Sequence, residues 1–109
     1  MKTTITKGRE GWEAETRIEL DAERALQIRT SKGTGGLRTF ATVIKPTPTG
    51  FTWSPFEDFK ETLREGKGLR CTEKTVTEEH TKALVDVDLL MVRAAARYKK
   101  AEQEEAEQQ

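Results

Sequence analysis

From Trp12 to Leu20 the chain alternates strictly in polarity. Trp12, Ala14, Thr16, Ile18 and Leu20 occupy the even positions, and Glu13, Glu15, Arg17 and Glu19 the odd ones. Successive side chains of a strand point to opposite faces, so this run predicts a sheet strand that is dry on one side and wet on the other.

Neighbouring segments extend the same pattern. Thr3 to Lys7 is a short Thr/Ile run set off by Gly8 and Gly11, which suits a preceding hairpin strand. After the turn Asp21-Ala22-Glu23, Leu26, Ile28 and Thr30 alternate with Gln27, Arg29 and Ser31 in a strand over Ala25 to Ser31. Gly33-Thr34-Gly35-Gly36 supplies a flexible turn into a strand from Leu37 to Lys45. That strand carries Leu37, Thr39, Ala41 and Val43 on one face and Phe40 and Ile44 on the other, the pattern of a central strand partly covered on both sides. Pro46 and Pro48 end it, because proline cannot donate to a ladder. A short strand is expected at Phe51 to Trp53.

Helical signals follow. Ser54-Pro55-Phe56-Glu57 has the form of a capping box with proline at the first helical position, and Phe56, Phe59 and Leu63 recur at helical spacing. A short helix ending at Gly66 is the expectation, followed by a connector or short strand from Lys67 to Lys74. Thr75-Val76-Thr77-Glu78 resembles a second capping box opening a long helix to about Ala101. On a helical wheel Lys82, Asp86, Arg93, Arg97 and Lys100 form the polar stripe. The apolar arc is about twice the roughly 100° needed to pack on one sheet. Either the helix lies in a groove between the sheet and the first helix, or Val85, Asp88, Leu89 and Val92 form a surface for a partner or a second copy.

Strands followed by helices define an α+β class: an antiparallel sheet of four to five strands, then one short and one long C-terminal helix on one face. The 109 residues suit a single domain over residues 1–101 with a charged tail at 102–109. The expected core is Trp12, Ile18, Leu20, Leu26, Ile28, Val43, Phe56, Phe59, Leu63, Leu84, Val87, Met91 and Tyr98. No run approaches the roughly 18 apolar residues of a membrane span, and the first ten residues lack the apolar stretch of a signal peptide, so a cytoplasmic protein without membrane contact is expected.

Chemistry-bearing residues are sparse. One cysteine, Cys71, and one histidine, His80, exclude an internal disulfide and a clustered Cys/His metal site within a single chain. Cys71 lies near Arg70 and Lys74 but no acid or second histidine completes a catalytic arrangement, so a structural role is expected. His80 and Asp88 fall on the apolar arc about 12 Å apart along the axis, too far to form a dyad. Asp88 is expected to pair with an arginine from the sheet or from a second chain. Ser31-Lys32-Gly33-Thr34-Gly35-Gly36 superficially suggests a phosphate loop, but a strand follows it where a helix N-terminus is required. No catalytic residue, metal or cofactor is expected.

Charge gives the remaining candidate. The totals cancel, 19 Lys and Arg against 19 Asp and Glu. Yet no acidic residue lies between Arg24 and Ser54. Arg29, Lys32, Arg38, Phe40 and Lys45 could form a platform for single-stranded nucleic acid, with arginines on phosphates and a ring stacking on bases. The competing reading pairs Glu13, Glu15 and Glu19 across strands with Arg29 and Arg38. A neutral chain favours the pairing, because nucleic-acid domains are usually strongly basic.

Two resemblances add to this. The strand–helix order from Trp12 to Leu63, with Phe51-Thr-Trp-Ser-Pro-Phe-Glu at the helix start, resembles the PC4 single-stranded-DNA-binding coactivator fold, which implies a curved sheet and dimerisation. Thr6-Lys-Gly-Arg-Glu-Gly-Trp-Glu-Ala, Leu26-Gln-Ile-Arg-Thr-Ser-Lys and Arg70-Cys-Thr-Glu-Lys-Thr-Val resemble small uncharacterised proteins of Gram-negative phages and mobile elements, which implies a setting but no activity. The function expected is a small non-enzymatic binding module acting through protein–protein contact and self-associating through the long helix as a homodimer. Single-stranded nucleic-acid binding is the alternative, with an enzyme of unknown type behind it.

Overall fold

The structure, a computed structural model, describes residues 2–21, 23–46 and 53–96, with side chains described for all of these except 46 and 53–58. Five strands come first: β1 (Lys2–Gly8), β2 (Gly11–Glu19), β3 (Ala25–Gly33), β4 (Gly36–Pro46) and β5 (Trp53–Lys67). They form one antiparallel sheet in the order β1-β2-β3-β4-β5, so each strand pairs with its neighbours in sequence. A helix follows as α1 (Glu73–Ala83), one 3-10 turn (Leu84–Asp86) and α2 (residues 87–96). The class is α+β, with the helix covering one face of an antiparallel sheet.

Pairing registers explain which face is covered. Ala14 lies opposite Thr30, Thr16 opposite Ile28, Ile28 opposite Ala41 and Leu26 opposite Val43. These inward positions are buried, as the alternation in β2 and β3 requires. Ile18, Leu26, Ile28, Ala41, Val43 and Phe59 pack against Leu90 and Ala94 of α2, with Leu20, Leu63, Leu84, Val87 and Met91 at the margin. Ala14, Leu37 and Val76 form a second cluster with Ile5, Trp12 and Cys71. The expected core is therefore largely present, with Leu37, Val76, Leu90 and Ala94 added. Phe56 and Tyr98 lie outside the described side chains. On the other face Ala25 and Ile44 are buried opposite one another, so β4 is covered in part on both sides.

The segment from Ser54 to Gly66 is not a helix but most of β5. Its pairing with β4 shifts register twice, between Thr39 and Phe40 and between Thr42 and Val43. Each irregularity adds residues on β5 that have no partner, and this breaks the two-residue alternation. The apolar positions then fall three and four apart, which imitates helical spacing. The long helix also begins earlier than Thr75: Thr72 is the N-cap, its side chain accepting from the Thr75 N–H while the Thr75 hydroxyl accepts from the Thr72 N–H. Residues 97–109, including the expected tail, lie outside the described residues.

Gly36 marks where β4 leaves its turn beside β5. Its φ is 158°, and a Cβ there would lie 2.1 Å from the Gly66 carbonyl oxygen and 2.9 Å from the Gly68 nitrogen. Backbone on both sides leaves nothing flexible to yield. Gly36→Ala is expected to destabilise the fold by at least about 2 kcal/mol, against about 1 kcal/mol for Gly35→Ala, whose site is open. Urea unfolding of both variants measures the difference.

Candidate functional site

Polar side chains run across the covered face between the two apolar clusters. Thr16 on β2, Thr30 on β3 and Thr39 on β4 each point inward and are essentially inaccessible to solvent. Above them α1 presents His80, which is 1% exposed. Its Nε2 lies 2.6 Å from the Thr16 hydroxyl and its Nδ1 2.8 Å from the Thr30 hydroxyl. The row extends both ways, Thr3 on β1 to Thr16 at 2.7 Å and Thr30 to Thr39 at 2.7 Å. A neutral imidazole has one donor and one acceptor nitrogen, and a hydroxyl can serve as either, so either tautomer completes the row.

Thr39 pairs in register with Arg64 of β5. Arg64 donates through Nε to Glu79 Oε2 at 3.1 Å, and Lys82 lies 3.7 Å from the other oxygen. The Glu79 side chain is 7% exposed, so both oxygens of a nearly buried carboxylate have cationic partners. A Cβ on Gly66 would lie 3.3 Å from Glu79 Oε2 and closer still to Leu69, so this glycine makes room for the pair. The threonine row and the Arg64–Glu79 pair together tie the helix to all five strands.

Burial in this row lowers the His80 pKa from the ordinary 6.5. Desolvation is the cause of that shift, and the neighbouring Glu79 carboxylate is engaged by Arg64. Its nitrogens are occupied and shielded from water, which suits a structural bridge rather than a proton-transfer site. Cys71 is half-buried, and its thiol donates to the Trp12 carbonyl oxygen at 3.0 Å. The sulfur fills the space above Gly11, where a Cβ would approach it to 2.9 Å.

The face away from the helix carries the basic residues. Arg29 and Phe40 are register partners, and Arg38 lies opposite Ser31. Arg29 meets Glu13 at 3.2 Å, and Arg38 meets Glu65 at 3.6 Å. Glu15 lies beside Arg17. The acids of β2 therefore reach one of the two expected arginines, while β5 supplies the partner of the other. Phe40 has the Arg38 guanidinium 5.6 Å and the Lys60 ammonium 4.8 Å from its centroid, so cations already occupy the ring. Lys32 is exposed at the β3–β4 hairpin, and Lys45 at the far end of β4, near its pairing with Ser54. Arg29, Arg38 and Phe40 are brought together, Lys32 and Lys45 lie apart from them, and acids interrupt the surface. The Ser31 to Gly36 segment is a hairpin, with Gly33 opposite Gly36.

On the helix, Val85, Leu89 and Val92 are 79%, 61% and 66% exposed. They follow one another at four and three residues along the side turned away from Leu90 and Ala94. Asp88 is exposed as well, and joins no ion pair among the described residues. Among the described residues no sheet arginine reaches Asp88, because it lies on the part of the arc that the sheet does not cover. Among the described residues, ion pairs that bind helix to sheet include Arg64–Glu79 and Arg93–Glu61, the latter at 2.9 Å. Sequence reasoning missed Thr16, Thr30 and Thr39 as partners of His80. Their signal was a threonine on the dry face of each of three strands.

Among the described residues no group of three or more His, Cys, Asp or Glu side chains is placed to hold a metal ion, and no helix is long and apolar enough to cross a membrane. Compared with protein-family models, curated proteins and solved structures, the chain matches none.

Stability should depend on pH through His80. Above about pH 6.5 both folded and unfolded chains hold a neutral imidazole; below it the unfolded chain takes up a proton that the folded chain resists. Stability at this site is therefore full above the unfolded pKa and falls as pH drops toward the folded one. Urea unfolding between about pH 6.5 and 5 should show a loss of up to about 1.4 kcal/mol per pH unit. In His80→Gln this contribution disappears. Thr16→Val leaves Nε2 without its partner and should cost about 1–3 kcal/mol at neutral pH by the same measurement.

Proposed function

We propose that this chain is a non-enzymatic binding module that works through protein–protein contact, including contact with its own kind, on the outer side of the helix. The observation that carries the reading is the exposed stripe of Val85, Leu89 and Val92 on an element whose other side is well packed. Single exposed apolar residues are ordinary, but three large ones in line along two turns of helix form the kind of surface that protein partners cover. The open face of the sheet offers much less, because Arg29 and Arg38 are paired with glutamates and the ring of Phe40 is occupied by cations. His80 and Cys71 are both engaged in holding the fold together, which supports a non-enzymatic role.

Amide NMR tests the assignment of the surface. Resonances of residues 85–96 should broaden or shift as protein concentration rises, and those of β1 to β4 should not. Leu89→Lys should remove the effect while moving the thermal midpoint by less than about 3 °C, since an exposed substitution changes stability little. Resonances that stay sharp along the helix at every concentration, or a response centred on the sheet, would count against the reading.

A further inference from the structure

Resting on that reading, we infer that the partner seated on the stripe is a second copy of this chain, packed antiparallel about a two-fold axis beside Leu89. Val85, Leu89, Val92 and Ala96 are all exposed and recur at four, three and four residues. That is the seam spacing by which two helices interlock their side chains. A narrow seam of this kind is matched by a helix carrying the same seam, and an isologous contact brings one patch against itself.

The charges beside the seam set the direction. At about 100° per residue, Asp86 and Arg93 lie on one flank of the stripe and Asp88 on the other. Asp86 stands three residues before Leu89 and Arg93 four residues after it. When two helices run antiparallel about an axis at Leu89, like flanks meet and positions equidistant from the axis face each other. Asp86 of each copy then faces Arg93 of the other, so the pair forms twice. A parallel arrangement sets unlike flanks together and brings Asp88 toward Arg93 instead. Arg93 is 51% exposed even with its bond to Glu61, and a guanidinium has donors enough for both carboxylates. The charges of the whole chain cancel, 19 against 19, so two copies approach without net repulsion. A seam of three large side chains and an alanine is small for a stable interface, which sets the expected dissociation constant on the order of tens of micromolar.

Sedimentation velocity between about 5 and 500 µM, with circular dichroism of each variant to check folding, tests the inference. The parent chain should pass from monomer to dimer. Asp86→Arg and Arg93→Asp should each weaken the dimer about tenfold or more, since two exposed pairs turn from attraction to repulsion. The combined swap should restore it to within about threefold of the parent, and Asp88→Arg should leave it unchanged. A monomer throughout the range overturns the inference, as does a swap that fails to rescue, or an Asp88→Arg variant as damaging as Asp86→Arg. Leu89→Lys separates this from the reading beneath it. A dimer lost in Leu89→Lys but not rescued by the swap keeps the stripe as the surface and removes the antiparallel pairing. A dimer indifferent to Leu89→Lys removes the stripe itself.

Discussion

One imidazole between two threonines determines how the helix sits on the sheet. Apolar contacts are strong in sum but do not fix direction, so a helix on a flat apolar face can slide or rotate by small steps at little cost. His80 removes that freedom, because its two nitrogens engage β2 and β3 at once and movement along the sheet breaks both bonds. Buried donors and acceptors left unpaired cost far more than a displaced methyl group. The Arg64–Glu79 pair adds a point of attachment on β5. With α1 held in this way, the turn at Leu84–Asp86 and α2 follow, and the side that carries Val85, Leu89 and Val92 is left outside.

Much of this arrangement can be read along the chain. The alternation in β2 and β3 placed both strands and their buried faces to within two residues, because a sheet wetted on one side writes its geometry directly into the order of residues. Leu37 to Lys45 showed apolar positions on both faces, and burial of Ile44 as well as Val43 accounts for them. The excess apolar arc of the long helix likewise corresponds to real exposure at Val85, Leu89 and Val92. Where the reading failed, at Ser54 to Gly66, local signals competed with pairing. A serine, a proline and apolar residues three or four apart are good helix signals, but an unfinished sheet edge beside β4 offered a ladder of backbone bonds and β5 took it. Two irregular registers are invisible without the partner strand. The threonine row was hidden for a related reason, since a threonine on a dry face reads as a small apolar residue until something polar is placed above it.

The two faces of the sheet show how a chain so rich in charge stays neutral locally as well as in total. On the open face Glu13 meets Arg29 and Glu65 meets Arg38, each pair bridging different strands. Exposed pairs of this kind add little to stability, on the order of a few tenths of a kcal/mol. Their effect lies in the surface potential: cations that were grouped along β3 and β4 in the chain are divided by carboxylates from β2 and β5 in space. Cross-strand neighbours, not sequence neighbours, decide the sign of a sheet surface.

The strictly sequential strand order has a consequence for how the molecule is made. Every strand pairs with the one just before it, so the sheet can grow by short loop closures as the chain emerges, a topology that favours rapid assembly. The helix that covers its dry face comes after all five strands. Until residues 73–96 have been synthesised, Leu26, Ile28, Ala41 and Val43 have their strand neighbours but lack Leu90 and Ala94 above them. During that interval Thr16, Thr30 and Thr39 keep a line of hydroxyls among the apolar side chains of that face, groups that water can satisfy until His80 takes its place above them.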